Sequence, residues 1–114
     1  MNRNTAHTSL RSRVKALVER NGGCVIAGAA SGFGSPGVPD LVCCIEGHSL
    51  SIKVKTGTAK LTEHQQRMAD RITAAGGAYA VARDIDDVIA TIETVIGRPV
   101  ILRRQPVRRK AKGE

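Results

Sequence analysis

Apolar residues recur at helical spacing near the start of the chain. Leu10, Val14, Leu17 and Val18 fall on one face, with Arg11, Arg13, Lys15, Glu19 and Arg20 on the other. Ser9 is placed to cap this helix, and Gly22-Gly23 stops it. Cys24 to Ala27 is a short apolar run that predicts a buried strand, and the stretch from Gly28 to Val38, rich in glycine and serine, predicts a loop. Asp40 to Glu46 predicts a second strand, Glu46-Gly47-His48 a turn, and Leu50 to Lys55 a half-buried strand of alternating apolar and polar residues. Thr62 and Gln65 form a capping box that opens a helix through Ala75, which Gly76-Gly77 ends. Ala78 to Ala82 predicts a last strand. Asp84 then caps a helix in which Ile85, Val88, Ile89, Ile92 and Ile96 share a face, up to Gly97.

The predicted order is α-β-β-β-α-β-α, with no internal repeat. Helices interleaved with strands imply an α/β fold with a mixed central sheet covered by helices. At 114 residues the chain suits one domain with a single core. The division this suggests is a domain over residues 1–97 and a basic tail over residues 98–114.

Composition narrows the function. Phe33 and Tyr79 are the only aromatic residues, so the core is aliphatic, and modules that stack nucleic-acid bases on several rings are disfavoured. Net charge is +8, which favours a polyanionic partner. From Arg98 onwards there are seven Lys/Arg and one acid, a net +6 that leaves only +2 on the first 97 residues. Arg103, Arg104, Arg108, Arg109 and Lys110 therefore form a candidate arm for nucleic-acid phosphates, with a solubilising end as the bland alternative. Cys24, Cys43 and Cys44 make no CxxC pair. They are expected to be small apolar residues on buried strands in a reducing compartment, not zinc ligands. With no charged start leading into an apolar run, and no apolar stretch near the roughly 18 residues of a membrane span, a cytoplasmic protein is expected.

Gly32-Phe33-Gly34-Ser35-Pro36-Gly37 has the letters of a dinucleotide loop, yet Pro36 and Pro39 intervene and a strand follows instead of a helix. A pyrophosphate needs the helix N-terminus there, so that function is rejected. A sharper constellation runs from Pro39 to Gln65. Asp40 opens one strand, and on the next Ser51, Lys53 and Lys55 share a face opposite Leu50, Ile52 and Val54. If that polar face meets Asp40, an acid and two ammonium groups converge, with Gln65 in the first turn of the following helix. Such a set suits a phosphodiester: an acid for a metal, a lysine for the charged phosphorane, an amide to orient water. The bland alternative makes Asp40 a turn residue, Lys53 and Lys55 a solvated face, and Gln65 a cap. His7, His48 and His64 have no mutual ligand spacing.

Gly37-Val38-Pro39-Asp40-Leu41, then Ile52-Lys53-Val54-Lys55-Thr56-Gly57, then Lys60-Leu61-Thr62-Glu63-His64-Gln65 resembles the VRR-NUC branch of the PD-(D/E)XK nucleases. The family pattern is G-x-PDL, I-E-V-K-T-G and K-L-[ST]-x-x-Q, and the likeness extends through most of residues 37–96. The resemblance implies a restriction-endonuclease-like αβββαβ core, here with a final helix. It further implies Asp40 and the Val54 carbonyl as ligands of Mg²⁺ or Mn²⁺, Lys55 as the catalytic lysine, and Gln65 in support. Lys60 joins Lys55 and the tail as a candidate DNA contact. The implied activity is a metal-dependent, structure-specific endodeoxyribonuclease akin to Holliday-junction resolvases. Its implied substrate is branched or flapped DNA, and its implied assembly a homodimer.

Two departures qualify this. The catalytic position that should hold the family's metal-binding glutamate is Lys53, and no acid precedes Glu19, which helical geometry turns to solvent. An ammonium about 5 Å from a divalent metal repels it by several kcal/mol at an effective dielectric of about 20. Lys53 could be a silencing substitution or belong to a natural DNA binder that does not cut, or Glu46 or a second subunit could supply the missing acid. The alternatives to an impaired nuclease are a non-catalytic DNA-binding module on the same fold and an interaction module using the last helix.

Overall fold

The computed structural model describes residues 3–28 and 37–102. Helix α1 (Arg3–Arg20) is followed by β1 (Cys24–Gly28), β2 (Leu41–Ile45), β3 (His48–Val54), α2 (Glu63–Ala74), β4 (Ala78–Ala82) and α3 (Ile85–Ile96). This is the predicted α-β-β-β-α-β-α order. The glycine-rich loop around Phe33 and the tail cations Arg103, Arg104, Arg108, Arg109 and Lys110 lie outside the described residues.

Helix α1 begins earlier than expected, so Ser9 sits inside it and does not cap it. No proline or glycine occurs in α1, and nothing local forces a start at Ser9. The other caps follow the sequence. Thr62 and Gln65 bond reciprocally at the start of α2, Asp84 and Asp87 do the same for α3, and Gly97 takes the left-handed conformation that ends α3.

The sheet has the order β1-β2-β3-β4. The first three strands run antiparallel, while β4 pairs parallel to β3 after the α2 crossover. Glu46 and Gly47 both have positive φ, 49° and 81°, giving the tight turn that sets Ile45 opposite His48.

The aliphatic core lies on one face of this sheet. Leu41, Cys43, Ile45, Leu50, Ile52, Val54, Ala80 and Ala82 from the strands meet Leu10, Val14, Leu17 and Val18 of α1 and Val88 and Ile92 of α3. Helix α2 packs on the opposite face, beside β4. Its Ile72 lies next to Gly77, close to Ser49, which points away from the core. That cover explains why Ser51 is buried although it faces away from the aliphatic core.

Among the described residues strand β1 is an edge strand, and this corrects the expectation that it is buried. Val25 packs on the core, but Cys24 is exposed and Ile26, beside a bulge, is 63% exposed. Cys43 is buried as expected, whereas Cys44 is exposed. An edge strand covered on one face buries only alternate residues.

The segment expected to leave the domain at Arg98 first crosses it. Buried Asn21 donates to the carbonyls of Leu17 (2.8 Å) and Ile101 (3.1 Å) and accepts from the Ile101 N–H (2.7 Å). Arg20 donates to the Leu102 carbonyl at 2.7 Å, and Arg98 pairs with Glu46 at 2.7 Å. Asn21→Ala should remove the clamp and strand buried backbone groups, lowering stability by about 2 kcal/mol. An unchanged urea-unfolding midpoint would show that the clamp holds nothing.

Candidate functional site

Asp40 directly precedes β2, and continuing the Leu41–Ile52 register places it opposite Lys53. One oxygen of Asp40, Oδ2, accepts from the Val54 N–H at 2.6 Å and lies 3.4 Å from Lys53 Nζ. Only 5% of the Asp40 side chain and 18% of the Lys53 side chain are exposed. A largely buried carboxylate needs charge compensation and hydrogen bonds, and it has both. Lys53 is therefore not part of a solvated strand face, and Asp40 is more than a turn residue.

The approach to Asp40 is fixed by Gly37. Its φ is +82°, and a Cβ there would strike the His64 carbonyl oxygen and sit 2.6 Å from the His64 carbonyl carbon. Glycine lets this segment press against the first turn of α2, backbone to backbone. The start of α2, with its partial positive charge, thus stands near the Asp40 end of the sheet.

The remaining candidate residues fall into place unevenly. Val54 meets Asp40 through its N–H, not through the carbonyl that the family resemblance assigns to a metal. The Lys55 N–H donates to the Ala82 carbonyl at 3.0 Å, extending the parallel ladder past β3; its side chain is half-buried. The Gln65 side-chain oxygen accepts from the Thr62 N–H at 2.9 Å, which engages it in the cap of α2. Lys60 is exposed. Glu46 is tied to Arg98 at the far hairpin, which removes it as a substitute acid within this chain, and Glu19 is exposed as expected.

Two features were not anticipated. Tyr79 pairs with Ser51 and so shares the Lys53 face; its buried hydroxyl has no hydrogen-bond partner among the described residues. Burial first, and the charge of Asp40 second, push this phenol's pKa upward. Register arithmetic could have found it once the parallel pairing was known. A shallow pocket of about 250 Å³ also opens beside Leu41, lined by Arg11, Ser12 and Lys15 of α1. Cations of α1 thus flank the start of β2. Among the described residues, no group of three or more His, Cys, Asp or Glu side chains gathers to hold a metal.

No model of a protein family matches the sequence. No curated protein matches it either. Among solved structures, the chain is similar to one described as a VRR_NUC domain, with 26% sequence identity and a TM-score of 0.63. The match covers 76% of this chain and 94% of that one. Fold and motif together define a nuclease-type domain of the PD-(D/E)XK class. Within that class the chain resembles the VRR-NUC family, with Lys53 standing where the family motif has glutamate.

The ion pair can be tested by a double-mutant cycle. Asp40→Asn and Lys53→Met should each cost about 2 kcal/mol or more, because each leaves a partly buried charge uncompensated. The double variant should cost less than their sum by about 1 kcal/mol or more in urea unfolding. Simple additivity would mean that the two groups do not interact.

Proposed function

We propose that this chain is a VRR-NUC-type domain that holds DNA phosphates but cuts them weakly or not at all, because Lys53 fills the place of a metal-binding carboxylate. The observation that carries this is the 3.4 Å contact between Lys53 Nζ and Asp40 Oδ2. Hard divalent cations such as Mg²⁺ and Mn²⁺ prefer several charged oxygen ligands. Among the described residues the carboxylate at the site, Asp40, is paired with an ammonium, so the residues present do not fit such an ion.

The same residues suit a phosphate. Lys53 is held at the rim of a half-buried site, Lys55 follows two residues later, and Arg11 and Lys15 line the neighbouring pocket. Lys60, and the tail cations beginning at Arg103, extend the basic surface in sequence. In the family-like reaction, Lys55 would offset charge developing on the phosphate, and the start of α2 would add its partial positive charge. Branched or flapped DNA is the proposed ligand. A homodimer would present two such sites to two strands. A non-cutting DNA-binding module is favoured for this polypeptide over an active nuclease by the charge of the site alone.

Two measurements test this. The chain should show little Mg²⁺- or Mn²⁺-dependent cleavage of junction, flap or linear DNA, whereas Lys53→Glu should gain metal affinity and cleavage that a further Asp40→Ala abolishes. Vigorous cutting by the unaltered chain, or no gain in metal affinity in Lys53→Glu, would refute the assignment. Removing residues 103–114, while keeping the segment clamped by Asn21, should weaken DNA binding and flatten its salt dependence. The slope of log affinity against log salt should fall by roughly one unit for each phosphate that the tail had neutralised. An unchanged slope would exclude the tail from binding.

A further inference from the structure

Cys24 and Cys44 are directly opposed residues on the antiparallel strands β1 and β2. Both are exposed, while their sequence neighbours Val25 and Cys43 form the next opposed pair and turn into the core. Alternation therefore puts both thiols on the same open face of the sheet. Opposed residues of an antiparallel pair have Cα atoms about 4.5–5.5 Å apart, within the roughly 4.4–6.8 Å that a disulfide spans. Cys44 is in turn opposed by Ser49, which is exposed on the same face, so no bulky neighbour in that row separates the sulfurs from solvent.

We infer that Cys24 and Cys44 form a cross-strand dithiol site that low-molecular-weight disulfides of the glutathione type oxidise to an internal disulfide. The thiolate of one cysteine attacks a sulfur of the oxidant, forming a mixed disulfide and releasing one glutathione thiolate. The second cysteine, as thiolate, attacks the protein sulfur of that mixed disulfide. The Cys24–Cys44 bond forms, the mixed bond breaks, and the second glutathione leaves as thiolate. The protein dithiol loses two electrons, the oxidant gains them, and the two thiol protons end on the two released glutathione thiols. Cys43 stays out of this exchange. Burial, and then the nearby Cys24, push its thiol up to about 11, so it is neither accessible nor ionised at neutral pH. In a strongly reducing glutathione pool the pair is a dithiol, and a more oxidising pool ties the edge strand to β2.

The experiment treats the reduced full-length chain with excess oxidised glutathione, then alkylates and maps the peptides by mass spectrometry. The expected product has lost two hydrogens, carries no glutathione, links Cys24 to Cys44, and leaves Cys43 alkylated only after denaturation. Cys44→Ser should instead accumulate one glutathione on Cys24, and Cys24→Ser one on Cys44, because neither has a resolving thiol. Three results would overturn the proposal: stable double glutathionylation of the parent chain, a linkage through Cys43, or full alkylation of Cys24 and Cys44 after oxidation.

Discussion

The contact between Asp40 and Lys53 is the constraint around which the site end of the molecule is arranged. A carboxylate exposed by only 5% cannot stand ionised without compensation. The Lys53 ammonium and the Val54 N–H, both on β3, contribute to that compensation. These bonds pin the start of β2 to the end of β3 and add to the register set at the other end by the Glu46-Gly47 turn. With Gly37 pressed against the start of α2, the Pro39-Asp40 segment is held between sheet and helix. The motif is thus a structural joint as well as a chemical one.

The two faces of the sheet divide the labour. Helices α1 and α3 cover one face and close the aliphatic core against it, while α2 covers only the β4 side of the other. Ser51 and Tyr79 are sheltered beneath α2, and Cys24, Cys44 and Ser49 lie open beyond it. Asp40 and Cys44 sit at opposite ends of β2, about 13 Å apart at roughly 3.3 Å per residue. The proposed dithiol exchange therefore lies apart from the proposed phosphate site, at the other end of the same strand pair.

What the sequence made legible was local. The capping boxes, the glycine stop of α3, the hairpin and the alternation of β3 depend on residues within a few positions of one another, and the structure bears them out. Spacing also suggested that Asp40 and Lys53 could meet, because a tight hairpin fixes the register between them. The misses required knowledge of what lies beyond the segment. An apolar run such as Cys24 to Ala27 looks the same whether a second strand covers its outer edge or not. Nothing near Asn21 announces that its amide will clamp Ile101, 80 residues later. Tyr79 joins the Lys53 face only through the parallel pairing that the α2 crossover creates. Nor does the position of Gln65 say whether its amide faces a substrate or its own helix; the cap engages it.

Lys53 is compatible with this scaffold because of how charge balances. A divalent cation between two carboxylates forms a neutral set, and so does one ammonium beside one carboxylate. On the proposed reading, lysine in place of the family's glutamate supplies the positive charge that a metal would otherwise bring to Asp40. The cation becomes part of the chain, held by β3 and always present. The hydrogen bond from Val54, the Gly37 contact and the α2 cap involve backbone groups that are indifferent to which cation is there. On the proposed reading the fold stands unchanged while the lysine takes the place of the metal and adds a fixed positive charge for a phosphate to meet.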